Sequence, residues 1–135
     1  MKVEITKIHH FTFTAPTGGE KKASWFYGEI LGLKEMELPE VLTSIYKIRW
    51  FYLLDMVLHI EFSSQFVRPE EQQENGVIMP GNHIALEVKN IKEIKSYLEK
   101  NKIEIREAVT VPDRDRFYVI DPFGNCIELI EFHKS

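Results

Sequence analysis

The feature that most limits how this chain can fold is an internal repetition: one pattern of strand, helix and three strands is read twice along 135 residues. In the first copy, residues 8–14 (IHHFTFT) alternate as a strand does, and Pro16, Gly18 and Gly19 break the alternation. From Glu20 to Leu31 the apolar positions Ala23, Phe26, Tyr27 and Ile30 recur at helical spacing, and Gly32 is placed to end the helix. Strands are then expected at 33–38, 44–54 and 56–62. Residues 64–80 are polar, acidic and interrupted by two prolines, which reads as a connecting segment. The pattern restarts with a strand at 81–88 (GNHIALEV). A helix follows, whose start is predicted to form a capping box from Asn90 and Glu93 and whose apolar face carries Ile91, Ile94, Tyr97 and Leu98. Strands at 103–108, 115–120 and 125–132 close the copy. Matching residues keep a drifting offset near 70: His10 and His83 are 73 apart, Phe26 and Tyr97 71, Arg49 and Arg116 67, His59 and Glu128 69. The expectation is one α+β domain over residues 1–135, built of two paired βαβββ modules at about 5–64 and 81–133 with a linker at about 65–80.

Side chains alternate across a strand, so the sequence also sorts residues by face. The first strand sets Phe11 and Phe13 against His10, Thr12 and Thr14, and the fourth sets Leu58, Ile60 and Phe62 against Val57, His59 and Glu61. In the second copy Ile84, Leu86 and Val88 oppose His83, Ala85 and Glu87, while Ile127 and Leu129 oppose Cys126, Glu128 and Ile130. One face of each strand is apolar and suited to packing on the helices; the other holds an imidazole or a carboxylate. Burying three imidazoles and a carboxylate without partners costs several kcal/mol, whereas a shared divalent cation satisfies them all. A face simply wetted by water is the alternative, and four ligand-type residues at matching repeat positions favour the metal-capable site. His9 is expected to point to the helix side or the strand margin, and His133 to be solvated in the tail. Glu61 and Glu87 have no counterparts in the other copy and are rim residues at most. Cys126 reads as a small buried hydrophobe, and Phe26, Tyr27 and Tyr97 as helix-to-sheet packing.

Charge narrows the partners. Seventeen Lys and Arg against 21 Asp and Glu give a net charge of −4, with no basic cluster to neutralise phosphates, so nucleic acid is not an expected partner. No apolar run approaches the length of about 20 residues that crosses a bilayer, and the N-terminus lacks the apolar stretch of a secretory signal. The single cysteine cannot form an internal disulfide. A cytoplasmic protein without membrane contact is expected.

The segments IHHFTFTAPTGGE with WFYGEILGL (8–33), VLHIEF (57–62), NHIALEV (82–88) and RFYVIDPFGNCIELIE (116–131) together resemble the vicinal oxygen chelate superfamily. That superfamily includes glyoxalase I, extradiol dioxygenases, methylmalonyl-CoA epimerase and the fosfomycin- and bleomycin-resistance proteins. The resemblance implies that the two modules form a curved mixed-sheet cup, with metal ligands at His10, His83 and Glu128 and a fourth corner at His59. Glyoxalase I commonly has Glu at that corner, and His10, His83 and Glu128 alone are similar to the two-His, one-carboxylate set of dioxygenases and fosfomycin-modifying enzymes. The implied activity is that of a glyoxalase-like metalloenzyme of lyase or isomerase type, holding Zn, Ni, Mn or Fe and chelating adjacent oxygens of a small-molecule substrate, with Glu128 doubling as catalytic proton carrier. A non-catalytic sequestering protein of the bleomycin-resistance type and an iron-dependent extradiol dioxygenase are the alternatives. By the same analogy the chain is expected to form a homodimer, with the cup built within one chain or across two.

Overall fold

The computed structural model describes residues 1–134 and divides at Val67 and Arg68 into two compact units. In the first unit, β1 (His10–Pro16), β2 (Ile48–Leu53) and β3 (Met56–Ser63) form a sheet in the order β1-β3-β2, with β1 parallel and β2 antiparallel to β3. One face is apolar as expected: Phe13, Leu58, Ile60 and Phe62 are buried. Against it runs the expected helix, but only Glu20–Ala23 (α1) is α-helical, and Ser24–Ile30 continues as a π-helix closed by Leu31 N–H donating to the Phe26 carbonyl at 2.9 Å. The wider turn seats Phe26 and Tyr27 in the core, with the Tyr27 ring 5.6 Å from that of Phe51.

Two expected elements of this unit change. The strand at 33–38 shrinks to one bridge, Glu35 to Phe51, flanked by backbone hydrogen bonds from Met36 to Trp50 and from Tyr52 to Lys34. The front of the expected 44–54 strand is helical instead: α2 (Glu40–Ile45) starts after Pro39, whose fixed φ (−55°) suits a helix entry, and strand geometry begins only after Lys47 turns through φ 46°.

In the second unit, β6 (His83–Glu87), β7 (Glu104–Glu107), β8 (Arg114–Ile120) and β9 (Cys126–Phe132) pair in the order β6-β9-β8-β7, with β6 parallel to β9. The expected linker is not structureless: β4 (Gln72–Glu74) and β5 (Val77–Met79) form a hairpin turning on Asn75 and Gly76, both at positive φ. That pair fits the mirror-image turn that matches strand twist.

Helix α3 (Ile91–Lys100) buries Ile91 and Leu98. Tyr97, expected in the packing, is 43% exposed. The expected capping box is absent because Asn90 takes a left-handed conformation (φ 61°) and makes no side-chain cap. Glu131 on β9 supplies the cap instead: its carboxylate accepts from Asn90 N–H at 2.8 Å and Ile91 N–H at 3.1 Å, a negative charge on the positive end of the helix. At the other end Lys102 (φ 58°) closes a Schellman pattern, with Ile103 N–H on the Leu98 carbonyl and Lys102 N–H on that of Glu99. No helix among the described residues is long and apolar enough to cross a membrane.

The turn between β8 and β9 is built around Asp121, almost fully buried. Its carboxylate accepts from the backbone N–H groups of Phe123 and Asn125, both at 2.8 Å, and from the Asn125 amide at 2.9 Å. Gly124 sits at φ +92°, and a β-carbon there would lie 2.9 Å from Arg68 Cγ. This turn fixes the register that sets Tyr118 opposite Glu128.

Candidate functional site

Each unit brings one pair of the expected ligands together, and the two pairs obey the same geometric rule. Across the parallel ladder of the first unit Thr12 faces His59, so His10 lies two residues before the position opposite its partner. In the second unit Ala85 faces Glu128, and His83 again lies two residues before. Two residues along a strand is the repeat of one face, so each pair shares a side.

In the first unit the imidazoles of His10 and His59 stack at 4.1 Å between centroids with an angle of 8°. The other face of His59 is covered by Trp50, its cross-strand neighbour on β2, at 4.2 Å and 3°. Burial between two rings, with the neighbouring His10 and His9 as further causes, holds the His59 imidazole well below its ordinary value, at about 4, so the ring is neutral near pH 7. Its Nε2 is buried with no hydrogen-bond partner. His9 lies at the strand margin, immediately before β1; it is exposed, and its Nδ1 lies 2.9 Å from His10 Nδ1.

In the second unit His83 Nδ1 donates to the Gly81 carbonyl at 2.8 Å, a bond that leaves Nε2 facing Glu128 Oε1 at 3.2 Å. Gly81 reaches this geometry at φ +63°, a conformation that costs glycine least. With the proton on Nδ1, a lone pair on Nε2 would meet a carboxylate lone pair. The contact is favourable only if a second proton or a cation lies between them. A histidine that donates one ring N–H to a backbone carbonyl and turns the other nitrogen to a carboxylate is oriented as metal-ligating histidines are. Glu128 is only 7% exposed, and its second oxygen lies 3.4 Å from Arg116 Nη1. Among the described residues, three buried side-chain polar atoms lack a hydrogen-bond partner: Trp50 Nε1, His59 Nε2 and Arg116 Nε. All three belong to these two clusters. Taken alone, neither unit gathers three His, Cys, Asp or Glu side chains fit to hold a metal among the described residues; each offers a pair.

Trp50, Arg116 and Tyr118 join these pairs, and nothing in the linear sequence marks them as site residues. The register explains why. Trp50 opposes His59, and Tyr118 opposes Glu128, so these aromatic residues are the true counterparts across the repeat. Arg49 and Arg116 are not: Arg49 faces Ile60, the position equivalent to Leu129, which faces Phe117. The alignment by offset slips by one residue, and in a strand that exchanges the two faces. Arg116 therefore shares the face of Tyr118, two residues on. The remaining candidates fall where expected: Glu61 and Glu87 are exposed, and His133 is exposed with Nε2 3.1 Å from Asp115. Cys126 is buried, and burial together with the charges of Glu128 and Asp121 pushes its thiol up to about 11, so it is no nucleophile.

Two units that each carry a ligand-type pair on parallel strands, β1 with β3 and β6 with β9, match the vicinal oxygen chelate superfamily. Among solved structures, a glyoxalase family protein from Bacillus anthracis is 36% identical, covers 98% of this chain and 100% of its own, and superposes with a TM-score of 0.81. The chain belongs to the glyoxalase family of that superfamily. Two more distant structures share the fold: a glyoxalase/dioxygenase from Nostoc punctiforme (22% identity, 99% of each chain, TM-score 0.75) and the fosfomycin resistance protein FosX from Listeria monocytogenes (18%, 98% of this chain and 95% of that one, 0.70). No family model and no curated protein matches the sequence.

Proposed function

We propose that the protein is a glyoxalase-like metalloenzyme of lyase or isomerase type, in which His10, His59, His83 and Glu128 hold a divalent cation and a small substrate is bound through two adjacent oxygens. The observation that carries this reading is the repeated diagonal: the same offset of two residues sets His10 beside His59 and His83 beside Glu128. The donor set of three imidazole nitrogens and one carboxylate oxygen suits Zn, Ni, Mn or Fe. The unpartnered Nε2 of His59 and the His83–Glu128 contact are both relieved by a cation. When bound, such an ion supplies Lewis-acid polarisation of the substrate oxygens. His59, kept neutral between Trp50 and His10, offers a nitrogen lone pair at pH 7 without first shedding a proton. Glu128 is the carboxylate of the set and is the group assigned to take a proton from substrate carbon and return it, with Arg116 beside it to hold its orientation.

The test is direct. Protein purified without a His tag is assayed for metal, then screened with small diols, ketoacids and thiol adducts. Glu128→Gln is expected to abolish turnover while leaving the circular dichroism spectrum unchanged; surviving turnover sinks the proton-carrier role. A metal-free protein that binds a hydrophobic cation returns the chain to the sequestering class.

A further inference from the structure

We propose that a cavity in the second unit, under the β4–β5 hairpin, receives the anionic end of a small ligand, a carboxylate on an apolar body, with Arg116 as its anchor. The inference deepens the metal-centre reading by naming a substrate class, and it rests on that reading only for the ligand's other end. The cavity is about 360 Å³, within the size range of small-molecule sites. Its walls include Val77, Met79, Pro80 and Val109, and Arg116 and Tyr118 line it from β8.

The charges in this cavity are unevenly matched. Glu107, its one carboxylate, is bound by Lys95. Arg116 is held more loosely. Of its five N–H donors, Nη1 serves Tyr118 Oη at 3.2 Å and Glu128 Oε2 at a long 3.4 Å, and Nη2 serves the Val109 carbonyl at 3.1 Å. Nε–H and one Nη2–H are left over, and Nε is buried with no acceptor. Its single acidic neighbour, Glu128, is also shared with His83. A guanidinium with an unused Nη2–H and a divided counter-charge is matched by an incoming carboxylate. A neutral ligand can accept through an oxygen but brings no charge to answer the guanidinium, and a second cation meets repulsion. The apolar walls then select the body of the acid.

Calorimetry on chelator-treated protein with 4-phenylbutyrate and its neutral counterpart 4-phenylbutanamide tests this without reference to metal or turnover. The acid is expected to bind at least tenfold more tightly than the amide and to shift the amide resonances of Val77, Ile78 and Val109 in nitrogen-15 spectra. Arg116→Gln is expected to erase the preference for the acid, and Arg116→Lys to keep only part of it. Should Arg116→Gln fail to fold, the wild-type ratio and Arg116→Lys still decide. Equal affinity for the two probes, no binding of either, or shifts confined to the helix side around Lys92 and Lys95 overturns the proposal. A metal-free protein that prefers the acid keeps this inference and loses the metal centre. A metal-loaded protein indifferent to the probes' charge does the reverse.

Discussion

His59 is the residue on which folding and chemistry bear in opposite directions. Stacked between Trp50 and His10 with Nε2 buried and unpartnered, it would be more stable with a hydrogen bond it does not have. Its imidazole is held at about 4 in the folded chain, below the ordinary value near 6.5. A lowered value of this kind means that the unfolded chain binds the proton first. The stabilising contribution is therefore complete above pH 6.5 and is lost as pH falls from 6.5 toward 4. In chelator-treated protein, the unfolding free energy is expected to fall between pH 7 and pH 5 by on the order of 1 kcal/mol more in wild type than in His59→Phe, a figure discounted because the ring is partly open to solvent. Urea melts of both proteins at the two pH values measure it; parallel losses would show that His59 is no more burdened than a surface histidine. At this scale the sequence was informative about identity and blind to environment. Strand alternation put His10, His59, His83 and Glu128 on one kind of face, but nothing in the linear order places Trp50 over His59 or a carbonyl behind His83.

Among the elements, the β8–β9 turn carries the most consequence for the site, because its geometry sets which residue of β8 faces Glu128. The Asp121 carboxylate accepts from the Phe123 and Asn125 N–H groups and the Asn125 amide in a buried position, and replacing it by alanine removes that acceptor. The expected cost of Asp121→Ala is about 3–5 kcal/mol, at the upper end for single substitutions. Gly124→Ala is expected to cost about 1–3 kcal/mol, from a positive φ and the close approach of Arg68. Denaturant midpoints report both, and a loss below 1 kcal/mol for Asp121→Ala would show that the turn is held by its backbone alone. Pro122, Gly124 and Asn125 between two strand-like runs make this turn readable locally. Other elements were harder to read. Asn75-Gly76 was a legible hairpin signal masked by the polar residues around it. The π-helical turn at Ser24–Ile30 kept the apolar spacing of an ordinary helix, so periodicity could not reveal it. The cap of α3 comes from Glu131, forty residues beyond the helix start, and no local motif encodes it. Apolar spacing found the main strands and helices, and missed the short β4–β5 hairpin, α2 and the cap of α3, which that spacing does not mark.

For the whole molecule, the repeat was the most legible property, because it is written at every level from residue offset to parallel pairing. Drifting offsets blurred it: a slip of one residue misaligned Arg49 with Arg116, and Tyr97 is exposed where Phe26 is buried. The repeat also leads to a prediction that needs no knowledge of the substrate. The proposed ligands come two from each copy of the pattern and are therefore far apart in the unfolded chain, which lacks a preformed site. A cation bound by the folded protein alone stabilises it by RT ln(1 + [L]/Kd), about 4 kcal/mol at a free concentration 1,000 times Kd. For a chain of this length each kcal/mol raises the melting temperature by roughly 3–4 °C, so zinc added to chelator-treated protein is expected to raise it by about 12–16 °C. His10→Ala and Glu128→Gln remove one ligand from each unit, and each is expected to take away most of that rise. Thermal melts with and without zinc measure the effect. If only one of these substitutions reduces the rise, the ion is held by a single unit, and the four-ligand centre is wrong. If neither does, zinc binds elsewhere on the surface.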